Sequence, residues 1–379
     1  MEMTDTDPGK PGAGGNPAGN TETGGADCAE FARTLLSWYD ECGRRLPWRE
    51  DPSPYHVWIS EIMLQQTRVE AVKGYYARFL ARFPDLRALA GADEDAVLKC
   101  WEGLGYYSRA RNLKRCASQI LELYDGQMPE TAAELRKLAG IGPYTSAAIA
   151  SIAFQEAVPA IDGNLLRVFA RLALCREEIT SPAARAAAER FYRERMPAER
   201  PGDFNQALMD LGALVCLPRE GAVCMRDPAA CPVRSFCGAF SRKACGSLPV
   251  VPAKKKREID RRTVLVIRDD DRVLLRRRPG RGLLAGLFEF PNYDGWLSES
   301  EALEKAEMLG IEPLHIRPLP PAKHIFTHLE WHMRGYELLT GSFPDGPDGP
   351  DRCFFASRGT LARTCALPSA FTAFVPDTF

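Results

Sequence analysis

Residues 135–154 read LRKLAGIGPYTSAAIASIAF, and PAIDGN follows at 159–164. The spacing predicts a helix continuing from Glu134, a break at Gly140-Ile141-Gly142-Pro143 and a second helix beyond it. The two glycines permit a tight turn that exposes backbone N–H groups at a helix start, where an anion such as a DNA phosphate is favoured. Asp162 stands at a turn just before a helix expected over Leu165–Leu172, a position that should keep it ionised. Upstream, Glu61 lies inside Val57-Trp58-Ile59-Ser60-Glu61-Ile62-Met63-Leu64, the most apolar run of the first hundred residues. Burial there would raise its pKa until it holds a proton near neutrality. Two carboxyl groups pushed in opposite directions suit cleavage of a glycosidic bond: one protonates the leaving group, the other balances the developing cation. Spacing alone leaves open a plain helix cap for Asp162 and a paired surface acid for Glu61.

Around this segment, the 379-residue chain is 45% apolar, enough for about two ordinary cores. Residues 1–27, rich in Gly, Pro, Thr and Asn, are expected to form a disordered tail. From Phe31 to about Leu214 apolar residues recur at helical spacing, as in Phe31, Leu35, Leu36 and Tyr39, so residues 28–247 should form an all-helical domain. Residues 248–262 (LPVVPAKKKREIDRR) read as a basic linker in which Lys254, Lys255, Lys256 and Arg257 would track a DNA backbone. Residues 263–379 form an α+β domain, with a hairpin of Thr263–Arg268 and Arg272–Arg277 around three aspartates and a capped helix at Ser298–Leu309. No apolar stretch approaches a membrane span and the polar, acidic start lacks a signal peptide, which predicts a soluble cytoplasmic protein, nucleoid-associated if bacterial. The net charge of −1 neither requires nor forbids a nucleic-acid partner, because the acidic first thirty residues mask a slightly basic remainder.

Twelve cysteines without an export signal should be reduced, so a dense cluster reads as metal or redox chemistry. Cys216, Cys224, Cys231 and Cys237 are separated by seven, six and five residues, with Cys245 just beyond. Four thiolates could hold zinc or an iron–sulfur cluster, and spacing does not separate the two. Arg219, Arg226 and Arg234 between them suit a loop aimed at phosphate, or are solvated charges.

Leu46-Pro47-Trp48-Arg49, Trp58–Thr67 (WISEIMLQQT), Trp101–Tyr107 (WEGLGYY), the Gly140–Tyr144 turn, Asp162-Gly163-Asn164 and the cysteine cluster occur in the order found in MutY-type adenine DNA glycosylases. Over about residues 30–375 the chain resembles that family, part of the helix-hairpin-helix superfamily that includes endonuclease III. The resemblance implies an all-α helix-hairpin-helix glycosylase domain with an iron–sulfur cluster loop and a C-terminal α+β Nudix-like domain. It implies a monomer that flips out and excises adenine opposite 8-oxoguanine, or guanine, in duplex DNA, initiating base excision repair. By motif, Glu61 would protonate adenine and help guide the nucleophile, Asp162 would stabilise the sugar cation, and Asn164 and Tyr144 would support them. Trp48, Arg49 and Leu64 would line the adenine pocket, Gln66 and Tyr106 would enter the base stack, and Gly140 and Gly142 would meet the backbone. A 4Fe-4S cluster is implied on Cys216, Cys224, Cys231 and Cys237. The family's usual spacing is six, two and five, so the insertion Met225–Ala230 loosens the Cys224 assignment and leaves Cys245 as a substitute. Endonuclease III-like enzymes carry a lysine where this chain has Tyr144, and tyrosine cannot form an imine, so base removal with little or no strand cleavage is implied.

In the second domain, Val264–Phe290 resembles the start of a Nudix fold. Leu303 and Met308 replace the signature's arginine and one magnesium carboxylate, which argues for binding rather than hydrolysis. His324, His328 and His332 have helical ligand spacing, but Leu329, Trp331 and Met333 alternate as in a strand. Phe326-Thr327-His328 resembles the Phe-Ser-His loop with which such C-terminal domains detect 8-oxoguanine; threonine keeps the hydroxyl and adds a methyl.

Overall fold

The structure, a computed structural model, describes residues 21–253, 256–341 and 353–376. Most of the expected tail, together with Lys254 and Lys255, lies outside the described residues. The helical region folds as two lobes with separate cores. One buries Trp58, Ile59, Met63, Phe79, Trp101, Leu113 and Ile149. The other buries Phe31, Leu35, Leu165, Phe169, Tyr192, Phe204 and Leu208. The helix Thr21–Cys42 therefore opens the chain in the second lobe, the residues from Leu46 to Ala150 build the first, and the chain returns. Two passages between lobes leave a cleft, and each fully buried aromatic or Leu side chain contributes about 1.5–3 kcal/mol to keeping its lobe intact.

Three expectations need correction. The first helix begins at Thr21, inside the stretch expected to be structureless, because adding turns to an anchored amphipathic helix costs little. The first helix of the glycine hairpin is only Ala132–Leu135, capped by Thr131; Lys137, Leu138 and Ile141 then donate to the third carbonyl back and tighten the chain into the Gly140 turn. The linker ends early: β1 spans Glu258–Asp269, not Thr263–Arg268, because its first residues find a parallel partner in a strand seventy residues on. Arg257, just ahead of it, pairs with Glu330.

The second domain is one mixed sheet. β1 runs parallel to β6 (Leu329–Thr340), which pairs antiparallel with β5 (Pro313–Ile325). On its other side β1 meets β2 (Arg272–Arg277), β2 meets β3 (Phe288–Glu289), and β4 (Asn292–Asp294) and β7 (Cys353–Ser357) complete the order. Val264 and Val266 face a core with Trp331 and Phe371, whereas Leu265 and Ile267 face Ala302 and Ala306 of the helix Glu299–Met308. Both faces of β1 are thus covered, which explains its unbroken apolar run. Ser298 caps that helix, its hydroxyl accepting from the Glu301 amide while the Glu301 carboxylate accepts from the Ser298 amide, as expected.

This domain docks on the first lobe. Arg277 reaches Asp95 (Nη1 to Oδ2, 3.0 Å), Lys99 Nζ donates to the Leu361 and Cys365 carbonyls (2.9 and 3.1 Å), and the Leu367 amide donates to Glu102 (2.7 Å). Leu287 and Ala366 complete the lobe's core.

Candidate active site

A cavity of about 190 Å³ opens in the cleft between the helical lobes. Trp48, Arg49, Glu61, Leu64 and Tyr144 reach it from the first lobe, and Asp162 and Asn164 from the second. All seven residues singled out for catalysis and the base pocket therefore meet in one place. The volume lies below the roughly 300 Å³ at which pockets for drug-sized ligands begin, which suits a single flat base.

Glu61 sits on the helix Pro54–Leu64, only 5% exposed, and accepts a hydrogen bond from the Tyr144 hydroxyl (2.5 Å). Burial pushes its pKa up; Tyr144 pulls it down, Asp162 raises it and Arg49 lowers it, leaving it at about 7. A carboxyl there exists as both acid and base near neutral pH. Tyr144 stands in the first turn of Pro143–Phe154, so the glycine turn aims it: Gly140 adopts φ +76° with Asn112 packed where a side chain would sit. Burial drives the phenol's own pKa far up, so it stays a donor.

Asp162 caps the helix Gly163–Leu172, accepting from the Leu165 amide (2.7 Å) and from Asn164 Nδ2 (2.9 Å). The expectation that the cap would hold it low is not met. Burial in the cleft raises its pKa, and the Leu165 and Asn164 hydrogen bonds with the Arg167 charge offset that only in part. The carboxyls are thus shifted in the same direction, with Glu61 the one carried to about 7. Arg167 Nη2 donates to the Asn164 side-chain Oδ1 (2.9 Å) and its Nε to the Cys216 backbone carbonyl (2.8 Å).

Asp210 was missed in the sequence. It lies fully buried at the end of Pro201–Asp210 and takes both Arg49 nitrogens (2.8 and 2.9 Å) and Arg44 Nε (2.8 Å). Burial raises its pKa, but the two arginines outweigh that and leave it low. Its signal was an acid three residues after Phe204 and Ala207 in turn, on the apolar stripe, where a charge needs a partner.

The residues expected to meet DNA stand outside the cavity. Gln66 (φ +59°) and Tyr106 (φ +48°) are exposed and both left-handed, a strained backbone for side chains with a Cβ. Arg109, also missed, ties their loops together. Its Nη1 donates to the Ile62, Met63 and Gln65 carbonyls (2.8, 3.0 and 2.6 Å) and Nη2 to those of Leu104 and Gly105 (3.2 and 3.1 Å). Arg109 shares its helix face with Leu113, Cys116 and Ile120, which was the readable signal. Phe326-Thr327-His328 is the turn between β5 and β6. Phe326 stacks edge-on against buried Trp331 (4.9 Å), and the Thr327 hydroxyl lies 2.9 Å from that of Tyr106. The strand reading of the histidine segment holds.

Cys216 follows a π-helical turn (Leu211–Val215), and short 3₁₀ turns carry the chain through Cys224, Cys231 and Cys237. Buried Arg171 organises them: Nη1 contacts Cys216 Sγ (3.2 Å) and the Leu217 carbonyl, Nη2 the Arg219 carbonyl and Nε that of Leu248. Cys231 lies within electrostatic reach of Cys216, Cys224 and Cys237. No three described His, Cys, Asp or Glu side chains stand close enough to hold a single ion. A set of soft thiol donors beside a buried cation fits a thiolate-bound metal group. No helix among the described residues is long and apolar enough to cross a membrane.

Residues 59–194 match the HhH-GPD superfamily of base excision DNA repair proteins, and 263–376 match the NUDIX domain. The chain is 35% identical to the adenine DNA glycosylase of Mus musculus, over 84% of this chain and 72% of that protein. It is 33% identical to that of Buchnera aphidicola subsp. Baizongia pistaciae, over 80% and 84%. Among solved structures, a thermostable thymine-DNA glycosylase superposes with a TM-score of 0.50 at 25% identity, covering 57% of this chain and 98% of that one.

Proposed function

Because this chain belongs to the adenine DNA glycosylase family, a set of base excision repair N-glycosylases, we propose that it removes adenine paired with 8-oxoguanine from duplex DNA. One observation carries the reading: a buried carboxyl with a pKa of about 7, Glu61, shares a base-sized cavity with a second carboxylate. The flipped adenine would enter between Trp48 and Leu64. Protonated Glu61 then gives its proton to the departing base, and the glycosidic electron pair leaves with adenine. Asp162, fixed by the Leu165 amide and Asn164, faces the cationic sugar, and the Glu61 carboxylate left behind accepts a proton from the incoming water. Tyr144 offers no amine for an imine, which supports release without strand cleavage. The cysteine loop would hold a 4Fe-4S cluster on Cys216, Cys231, Cys237 and a fourth thiol. Such a cluster supplies a folded, rigid loop beside the site; the glycosidic chemistry is assigned to the carboxyls. Thr327 and His328 would read the opposite base, with the protein acting as a monomer.

The test is Glu61→Gln. The amide is nearly isosteric but cannot give a proton, so adenine release in single turnover should fall by about 10²-fold or more while duplex affinity stays within a few-fold. Near-wild-type release would overturn the assignment.

A further inference from the structure

Five thiols, not four, converge in the cysteine loop. Cys245 is 4% exposed and packs with buried Cys224 and with Cys231 and Cys237 in one small core. The chain reaches that position by doubling back after Cys237. A short helix, Gly238–Ser241, ends in a left-handed turn at Lys243 (φ +54°), and the Ala244 amide bonds to the Ala239 carbonyl (2.7 Å). Gly246 then lies against Met225, the neighbour of Cys224, and Cys245 and Cys224 are buried side by side in the same small core. Arg171 fixes both ends of the loop, touching Cys216 Sγ and the Leu248 carbonyl. Cys224 is the ligand displaced by the insertion Met225–Ala230, so a spare thiol stands beside the position the sequence leaves least determined.

We propose that Cys224 and Cys245 are interchangeable ligands, either one completing the thiolate set formed by Cys216, Cys231 and Cys237. Exchange is proton-neutral, since the entering thiol gives up the proton that the departing thiolate takes. Packing against each other keeps both sulfurs in reach without unfolding the loop. This inference rests on the cluster reading above.

The experiment uses full-length chains purified without oxygen: wild type, Cys224→Ser, Cys245→Ser, the double variant and Cys231→Ser. Iron and acid-labile sulfide are counted per chain, with helical circular dichroism as the check on folding. Both single variants at positions 224 and 245 should keep about four irons and four sulfides, while the double variant and Cys231→Ser fall to about three or fewer. Loss of iron in Cys224→Ser, folded or not, makes Cys245 a bystander and overturns the proposal. Loss in Cys245→Ser makes it a required ligand, and full retention in the double variant excludes both, either of which also overturns it. Stoichiometric zinc without iron in the wild type would instead refute the cluster reading itself.

Discussion

Glu61 must be protonated to act as the acid, so adenine release should be high below its pKa of about 7 and fall as pH rises through it. The Tyr144 hydrogen bond favours the charged carboxylate. Tyr144→Phe should therefore raise the pKa and move the alkaline limb of the single-turnover pH profile to higher pH; a limb that stays put or moves down would remove Tyr144 from the control of Glu61. The same shift is a stability term. With a folded pKa above the ordinary carboxyl value of 4.5, Glu61 stabilises the fold below that value, and the contribution is lost as pH rises from 4.5 to about 7. Glu61's raised pKa was legible because Val57-Trp58-Ile59 and Ile62-Met63-Leu64 flank it with apolar residues on both sides. Asp162's direction was not, because its burial comes from the facing lobe rather than its own neighbours in sequence.

At the scale of elements, Arg109 joins the Gln66 loop to the Tyr106 loop by donating to carbonyls on both. Arg109→Leu would leave several buried carbonyls without a donor, and hydrogen bonds to a charged group contribute about 1.5–3 kcal/mol each. We expect a loss of at least about 2 kcal/mol in denaturant unfolding and weaker binding of a mismatched duplex, with Arg109→Lys in between because an ammonium cannot span both loops. Unchanged unfolding and affinity in Arg109→Leu would show that the two loops hold themselves. Helices were readable where a start signal stands in the sequence, as with the Ser298 capping box and Pro143 at the first position of its helix. The early start of β1 was not, since the strand exists only through pairing with β6, and the hairpin's first helix was overread because apolar Leu138 continues the stripe while the backbone is already turning.

Across the whole molecule, the proposed chemistry and the proposed recognition fall in different domains. The carboxyls lie between the helical lobes, while the Phe326-Thr327-His328 turn is presented from a sheet domain bolted to the first lobe through Asp95, Lys99 and Glu102. The two domains and their order were legible from the change of hydrophobic period; the docking was not, since its partners are surface charges scattered along the sequence. The hydroxyl contact between Tyr106 and Thr327 joins the residue proposed to enter the base stack to the turn proposed to read the opposite base. Replacing Phe326, Thr327 and His328 by alanine removes hydrogen bonds worth roughly 0.5–1.5 kcal/mol each together with an aromatic anchor. The most direct measurement is therefore single-turnover adenine release opposite 8-oxoguanine and opposite guanine, for wild type and this variant at equal salt. The wild type should release adenine faster opposite 8-oxoguanine, and the variant should lose about tenfold or more of that preference while its rate opposite guanine holds. A wild type that shows no preference for 8-oxoguanine, or a variant whose ratio is unchanged, would contradict the account.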